Sequence, residues 1–292
     1  MPFGMKPILI HVHVFYEEMW PALACRLKNL MKKPHSLWVS LPVNGKLTES
    51  HIREEFPDAE VVSVENRGYD IAPFVEVLRR VTLSDYSYCV KLHTKRDIVG
   101  LHYPHVGRTE VGGSKWREYL LSFIEPENWE RCLLRLESDP GLGMVGSHAL
   151  ICRNGEDDNR AWTESLSWLR EFGFEVESPA FVAGSMFVCR AELLKLVLTV
   201  LENREFEIPS REAPSTVSHT AERVLGHAMG AQGYRVEDVY TPEKVRRRVH
   251  FRNCTLRILW AVYRFFYQRK VSRSGKLIVK VCKIPVFWSA GK

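Results

Sequence analysis

The feature that most constrains the fold is a regular alternation of strand-like and helix-like segments between Pro7 and Leu92. Apolar, β-branched runs of strand length are separated by segments whose apolar residues recur at helical spacing. The predicted strands are Pro7–Phe15, Leu37–Leu41, Val61–Val64 and Tyr86–Leu92; the predicted helices are Glu17–Met31, a short one ending at Phe56, and Ile71–Val81. Because strands that alternate with helices pair in parallel, this order predicts a Rossmann-like α/β domain with a mostly parallel sheet flanked by helices.

The second half of the chain continues the α/β pattern after a long glycine-containing segment. Asp97–Ser114 has no periodicity, and a loop of that length is usually a lid, a binding loop or disordered. The predicted helices that follow are Trp116–Ile124, Glu127–Ser138, Trp162–Phe172, Ala191–Leu201 and His219–Gln232, the last capped by Ser218; the predicted strands are Met144–Cys152, Phe181–Arg190 and Tyr234–Tyr240. A glycine inside a strand, Gly184, indicates a bend or the close approach of a ligand.

Polar side chains follow two of the predicted strands. They are Asn66, Arg67, Gly68 and Asp70 after the third strand, and His93, Lys95 and Arg96 after the fourth. Glycine and asparagine tolerate the positive φ of a tight turn, and Asp70 is a favourable N-cap for the next helix. Ligands of open α/β sheets bind at the carboxyl ends of the strands, and helix N-termini favour anions. We therefore predict a ligand site at this edge of the sheet.

The sequence lacks several common motifs for binding cofactors and metals. No GxGxxG follows the first strand, which argues against a classical NAD site. No GxxxxGK[ST] motif is present, which argues against a P-loop ATPase. His11 and His13 share one face of the first strand and are candidate metal ligands, but the expected alternative is a pair of hydrogen-bonded, half-buried histidines. The seven cysteines are scattered without a CxxC pair, which favours reduced thiols in a cytosolic protein.

The charge is distributed unevenly along the chain. The net charge of +6 combines 14 basic and no acidic residues after Glu243 with 27 basic and 35 acidic residues up to and including Glu243. We therefore predict a domain over residues 1–243 and a basic tail over 244–292. Such a tail favours an anionic partner, either a lipid surface or nucleic acid. Met1–Phe15 lacks the pattern of a signal peptide, so we expect the protein to face the cytoplasm.

Thr255–Gln268 is an apolar, aromatic block with basic flanks. Read as a helix, it is too short and too charged to span a bilayer and fits an amphipathic helix lying in the membrane surface. The alternative is a C-terminal helix that docks on the core. Its aromatic residues are clustered rather than spread as stacking platforms, so no nucleic-acid partner is expected.

Five motifs in order resemble the rhamnan synthesis protein F family. They are NRGYDIAPF, YSYCVKLHTKR, WREYLL, FVAGSMFVCRAELL and HTAERVLG, and they span roughly Ile8 to Val239. The resemblance implies a bacterial glycosyltransferase of cell-surface polysaccharide synthesis with a GT-A-like fold. It implies a nucleotide-sugar donor, with rhamnose as a candidate sugar, and a growing or lipid-linked glycan acceptor on the inner face of the cytoplasmic membrane.

The same resemblance suggests roles for individual residues. Where many GT-A enzymes carry an acidic DxD that holds a metal, this chain has His93, Lys95 and Arg96. Lys95 and Arg96 would neutralise the leaving diphosphate as a metal does, so weak or no metal dependence is expected and no cofactor is predicted. The alternative is that these two cations belong to a solvated loop. The turn with Asn66, Arg67, Gly68 and Asp70, and the segment with Gly184 and Ser185, would bind the donor. Glu222 would deprotonate the acceptor hydroxyl, with His219 as its neighbour or substitute.

Asp70 has two possible roles, since a carboxylate is repelled by a diphosphate: it binds a sugar or ribose hydroxyl, or it only caps its helix. Glu222 is also explained by the favourable dipole of a first helical turn. The alternative function is a non-catalytic partner of a polysaccharide assembly that binds a nucleotide-sugar or glycan.

Overall fold

The structure is a computed structural model that describes residues 6–96, 98–102, 111–147, 150–153, 160–209, 216–239, 267–271, 277–281 and 284–288. Contacts between residues divide the chain into two compact units, Met1–Tyr240 and Thr241–Lys292. Among the helices in these ranges, none has the length and apolar character needed to cross a membrane.

The first unit contains eleven strands and eight α-helices among its described residues. The strands are β1 (Ile8–His13), β2 (His35–Pro42), β3 (Glu60–Val64), β4 (Tyr88–His93), β5 (Ile98–His102), β6 (Val111–Gly113), β7 (Leu142–Gly146), β8 (Ile151–Arg153), β9 (Ala180–Val182), β10 (Phe187–Arg190) and β11 (Arg235–Asp238). The helices are α1 (Trp20–Leu30), α2 (Glu49–Glu55), α3 (Ile71–Arg80), α4 (Ser114–Leu121), α5 (Pro126–Ser138), α6 (Arg160–Glu171), α7 (Leu194–Leu201) and α8 (Val217–Ala231).

Seven of these strands form one sheet in the order β11-β7-β10-β4-β1-β2-β3. The pairs β4–β1, β1–β2, β2–β3 and β11–β7 are parallel, and β10 runs antiparallel to both of its neighbours. Every residue of β1 and β7 is buried, as expected for strands covered by helices on both faces. The predicted α/β fold with a mostly parallel, helix-flanked sheet is confirmed.

The core runs along the sheet and under its helices. Side chains such as Leu9, Ile10, Phe74 and Leu27 are fully buried, and each buried aliphatic or aromatic side chain of this kind contributes roughly 1.5–3 kcal/mol. The helices α3, α6, α7 and α8 contact one another in one layer, with α3 against β1 and β2. This layer places the start of α3 and the first turns of α8 near the carboxyl ends of β1 and β4.

Two predicted strands are each divided in the structure. Met144–Cys152 corresponds to β7 and β8, and Phe181–Arg190 corresponds to β9 and β10. The second break is a turn in which Gly184 and Ser185 have φ of 78° and 50°. Two consecutive left-handed residues cannot continue a strand, so the bend predicted at the glycine becomes a full reversal into a separate strand.

The segment predicted as an irregular loop at 97–114 contains a two-stranded antiparallel sheet of β5 and β6. The second unit, described by itself, has three antiparallel strands, β12 (Tyr267–Val271), β13 (Leu277–Val281) and β14 (Ile284–Trp288), in sequential order. The helix predicted at 255–268 lies outside the described residues except for Tyr267 and Gln268, which belong to β12 instead. The membrane-surface role of residues 244–292 stays a prediction.

Candidate active site

A groove lies at the carboxyl ends of β1 and β4, beside the start of α3 and the first turns of α8. It has two parts, which we name by their linings. The polar chamber, of about 220 Å³, is lined among others by Asp70, His93, Lys95, Ser185, His219 and Glu222. The aromatic chamber, of about 180 Å³, is lined among others by His13, Phe15, Tyr16, Asn66 and Thr94.

Four residues line both chambers: Tyr69, Asp70, His93 and Lys95. Typical ligand clefts start at roughly 300 Å³. Neither chamber reaches that size alone, whereas the two together do. The groove thus suits a ligand with two different ends, one polar and one that packs against aromatic rings.

Asp70 lies at the centre of the groove, and its role differs from the predicted one. It precedes α3 in helical conformation and makes no side-chain cap hydrogen bond. Instead its Oδ2 accepts hydrogen bonds from Lys91 Nζ and Ser185 Oγ, and His93 Nδ1 lies 3.4 Å away. The prediction that Asp70 caps the helix is therefore wrong, because the carboxylate is turned towards β4 and the β9–β10 turn.

The charge on Asp70 is stabilised by its neighbours. Burial by itself raises the pKa of Asp70, but the charges of His93 and Lys91 and the hydrogen bonds from Lys91 and Ser185 bring it well below its usual range. Burial lowers the pKa of His93 to about 3, so His93 is neutral at pH 7. Lys91 is therefore the cation that keeps Asp70 ionised at physiological pH.

Lys91 belongs to the candidate site through its contacts with Asp70 and Ser185, and the sequence analysis did not identify it. It is completely buried in β4, where its Nζ also donates to the carbonyl oxygen and the Oγ of Ser185, at 3.1 and 3.0 Å, and lies 5.5 Å from the ring centre of Phe74. A lysine is almost never fully buried unless it is paired. The signal was present as a lysine between Val90 and Leu92 in an otherwise apolar strand.

Glu222 also lines the polar chamber. The helix α8 begins at Val217 and is capped by Thr216 rather than by Ser218, which moves Glu222 from the predicted first turn into the second. Its Oε1 accepts the Gly184 backbone N–H at 2.6 Å, and its Oε2 accepts Arg223 Nη1 at 3.0 Å. Burial raises the pKa of Glu222, and the charge of Arg223 opposes that rise. A carboxylate with a raised pKa in a cleft is suited to proton transfer.

The β9–β10 turn connects the two carboxylates. Gly184 donates its N–H to Glu222, and the adjacent Ser185 donates its hydroxyl to Asp70. Ser185 has φ of 50°, which is costly for a residue with a side chain. Backbone strain of this kind concentrates at functional sites. The turn therefore holds Asp70 and Glu222 in a fixed relation across the polar chamber.

The other predicted site residues have different outcomes. Lys95 is half-buried in both chambers and Asn66 lines the aromatic chamber. Arg96 instead pairs with Glu18 and stacks on Tyr16, 4.6 Å from the ring centre. Arg96 therefore lines neither chamber.

Arg67 and Gly68 support the groove without lining it. Arg67 pairs with Glu65 at 3.1 Å. Gly68 has φ of 61°, and a Cβ there would come within 2.8 Å of Ala72 and Phe206, so only glycine fits.

Three histidines in or near the groove, His11, His13 and His219, lie within hydrogen-bond distance of hydroxyl groups. His219 lines the polar chamber, and its Nδ1 lies 2.6 Å from Thr216 Oγ1. His11 and His13 are fully buried, and each has a ring nitrogen within 3.0 Å of Ser40 Oγ. Burial lowers the pKa of His13 to about 4. These two histidines thus follow the hydrogen-bonded alternative, although they are more buried than predicted.

The donor set does not fit a divalent cation. The carboxylates that line the polar chamber are Asp70 and Glu222. Asp70 Oδ2 is already bound by Lys91 and Ser185, and the Lys95 side chain adds another positive charge to the lining. Within the described ranges, no group of three or more His, Cys, Asp or Glu residues is arranged to hold a metal ion.

Relatives of the chain are found among curated proteins and solved structures. "Uncharacterized protein WxcX" from two strains of Xanthomonas campestris pv. campestris, B100 and ATCC 33913, is 30% identical over 185 residues. That match covers 62% of this chain and 25% of the relative, so the chain spans about a quarter of the relative's length.

Glucosyl-3-phosphoglycerate synthase from Mycobacterium tuberculosis, solved with Mn²⁺ and UDP or UDP-glucose, is similar at 10–12% identity and TM-scores of 0.33–0.36, over 98% of this chain and 90% of that one. At these TM-scores the likeness is loose and indicates no substrate. The family model described as rhamnan synthesis protein F matches residues 3–234. The resemblance carried by the sequence motifs is thus confirmed, and the chain belongs to the rhamnan synthesis protein F family.

Proposed function

We propose that the protein is a GT-A-like glycosyltransferase that transfers a sugar from a nucleotide-sugar to a glycan of a bacterial surface polysaccharide. One observation carries this proposal: Glu222, a half-buried carboxylate whose pKa is raised, lines a chamber that Asp70 and Lys95 also line. Membership of the family supports the polysaccharide context. Rhamnose is the sugar we propose, on the family's description alone.

The groups of the groove match the parts of such a donor. Lys95 lines both chambers and would neutralise the diphosphate between them. Asp70 Oδ2 accepts hydrogen bonds from Lys91 and Ser185, which leaves Oδ1 to accept a hydrogen bond from a hydroxyl group of the sugar. Asn66 and the rings of Phe15 and Tyr16 would contact the nucleoside in the aromatic chamber. Arg96 would join the diphosphate only after leaving Glu18.

The transfer step follows from these positions. Glu222 accepts the proton of the acceptor hydroxyl while that oxygen forms a bond to the anomeric carbon. The bond from the anomeric carbon to the diphosphate oxygen breaks, and its electron pair leaves with the nucleoside diphosphate. Positive charge from Lys95 stabilises the negative charge that develops there. Direct attack from the side opposite the leaving group inverts the anomeric carbon.

We propose that this reaction needs no divalent metal. A metal ion between donor phosphates and protein requires free carboxylate oxygens, and Asp70 offers only one beside the nearby cation Lys91. The acidic DxD of many GT-A enzymes is replaced by histidine and lysine at the end of β4. Binding and turnover that survive EDTA would agree with this proposal, and activity restored only by Mn²⁺ or Mg²⁺ would contradict it.

Residues 244–292 would bring the enzyme to the inner face of the cytoplasmic membrane, where lipid-linked acceptors lie. Their 14 basic and no acidic residues support attraction to anionic lipid. We expect the full chain to sediment with vesicles containing phosphatidylglycerol and not with neutral phosphatidylcholine vesicles. Replacement of Arg246, Arg247 and Arg248 by glutamate should weaken that binding. Stronger binding to duplex nucleic acid than to the vesicles would contradict the membrane role.

A second function has one observation in its favour. Both oxygens of Glu222 already accept a hydrogen bond, from Gly184 and Arg223, so the residue also has a purely structural explanation. A non-catalytic partner of a polysaccharide assembly would bind the nucleotide-sugar in the same groove without transferring it.

A nucleotide-sugar screen tests the proposal at the level of binding. Ligands that bind only the folded state stabilise it, by about 2.7 kcal/mol at a hundred times the dissociation constant. We expect one donor among UDP-glucose, GDP-mannose and dTDP-rhamnose to raise the melting temperature by about 5 °C or more, with or without EDTA. Lys95→Ala should lower the affinity for that nucleotide-sugar about tenfold, whereas the exposed control Lys195→Ala should leave the affinity unchanged. A wild-type protein that responds to no donor would contradict the proposal.

A further inference from the structure

Tyr69 is one of the four residues that line both chambers. It is 38% exposed, and among the residues that the structure describes it is one of the few large apolar or aromatic ones that are open to solvent. The centre of its ring lies 6.2 Å from that of His219 in an edge-to-face arrangement. A ligand that extends from the aromatic chamber into the polar chamber, which Glu222 lines, would therefore lie beside Tyr69.

The backbone of Tyr69 is in a conformation that tyrosine rarely adopts. Its φ is 53°, directly after Gly68 at 61°. The turn is fixed by its surroundings: Gly68 donates its N–H to the Glu207 carbonyl at 2.8 Å, and its own carbonyl accepts from Ile71 at 3.0 Å. Glycine or asparagine would occupy this position with less strain. A bulky residue kept in a strained conformation at a cleft points to a role for its ring.

The surroundings of the ring indicate what it contacts. On the side of the polar chamber, Asp70 and Glu222 offer oxygens to hydroxyl groups. A pyranose ring presents hydroxyl groups at its edges and C–H groups on its faces, so it needs polar partners around it and a flat apolar surface against one face. Tyr69 supplies such a surface beside both carboxylates, as aromatic rings do for large, partly apolar ligands.

We propose that Tyr69 is the platform on which the sugar ring of the donor packs, between the nucleotide and Glu222. This inference rests on the proposed function. It assigns the sugar rather than the nucleobase to Tyr69, because the aromatic chamber has Phe15 and Tyr16 of its own for the base. Tyr69 would thereby contribute to the choice of sugar, since a face with axial substituents packs less closely on a flat ring.

The test compares nucleotide-sugars with their nucleoside diphosphates. Tyr69→Asn removes the ring and keeps a residue that tolerates positive φ, so we expect a melting temperature within about 2 °C of the wild type. Affinity for the nucleotide-sugar, measured by calorimetry with dTDP-rhamnose or UDP-glucose, should fall at least tenfold. Affinity for dTDP or UDP should change less than twofold. Tyr69→Phe should behave as the wild type, and so should Phe172→Asn, a substitution of an exposed aromatic residue remote from the groove.

Three results would overturn the inference. Equal losses for the nucleotide-sugar and the diphosphate would assign the ring to the nucleotide. Unchanged affinity for both would mean that the ring does not contact the ligand. A large loss of thermal stability in Tyr69→Asn would mean that the ring has a structural role. A wild-type protein that binds neither the nucleotide-sugars nor the diphosphates would instead overturn the proposed function, and this inference with it.

Discussion

Replacing Lys91 by methionine is expected to lower the free energy of unfolding by about 3 kcal/mol. The lysine is fully buried, and its ammonium group bonds Asp70 and two oxygen atoms of Ser185. Methionine fills most of the same volume, so the loss comes from an uncompensated carboxylate rather than from a cavity. We place the effect at the lower end of the range for broken buried pairs because 20% of the Asp70 side chain remains exposed.

Urea unfolding measures this effect, and two further variants identify its cause. Lys195→Met replaces an exposed lysine on α7 and should change stability by less than about 0.5 kcal/mol. Combining Lys91→Met with Asp70→Asn removes the unpaired charge and should recover part of the loss. The assigned role of the pair would be contradicted if Lys91→Met were as stable as the wild type. It would also be contradicted if the double variant lost more free energy of unfolding than the two single variants together.

Glu222→Gln is expected to reduce sugar transfer at least a hundredfold, with little change in donor affinity. The amide oxygen can still accept the Gly184 N–H, so the β9–β10 turn should keep its conformation. The amide cannot accept the proton of the acceptor hydroxyl. Because transfer needs the ionised carboxylate, the rate should rise with pH as Glu222 loses its proton. Since burial raises the pKa of Glu222, this rise should be centred above the usual range of a glutamate.

Turnover of the wild type and variants across pH checks this prediction. Glu192→Gln, an exposed substitution outside the groove, should leave both rate and pH profile unchanged. A Glu222→Gln protein that retains wild-type turnover would exclude Glu222 as the base. Loss of donor binding together with loss of turnover would instead give Glu222 the structural role of holding Gly184.

The fold could be predicted from the sequence where the pattern is local and periodic. The alternation from β1 to β4 and the helix at Ile71 follow from apolar spacing and turn chemistry. The position of β10 between β7 and β4, antiparallel to both, could not be predicted. It depends on the turn at Gly184 and Ser185. Serine has no local preference for the positive φ that Ser185 adopts there, and its side chain contacts Asp70 and Lys91, which are distant in sequence.

The sequence predicted where the candidate groove lies, but it predicted only some of the contacts that its side chains make. Asp70, Lys95 and Glu222 come together in one groove because the carboxyl ends of the strands and the start of α8 meet there. The pairing of Asp70 with Lys91 was missed because a helix-start aspartate is explained equally well by capping. Arg96 was predicted to face the ligand, but Glu18, 78 residues away in sequence, pairs with it. Long-range ion pairs of this kind leave no local signal.

The most direct test of the central claim is the release of nucleoside diphosphate by the purified full chain. The assay supplies each nucleotide-sugar with bacterial lipid-linked glycans as acceptor, in the presence and absence of EDTA. We predict release from one donor that survives EDTA, depends on acceptor and is lost in Glu222→Gln. Donor binding without any release, under the same conditions, would contradict a transferase and favour the non-catalytic binding partner.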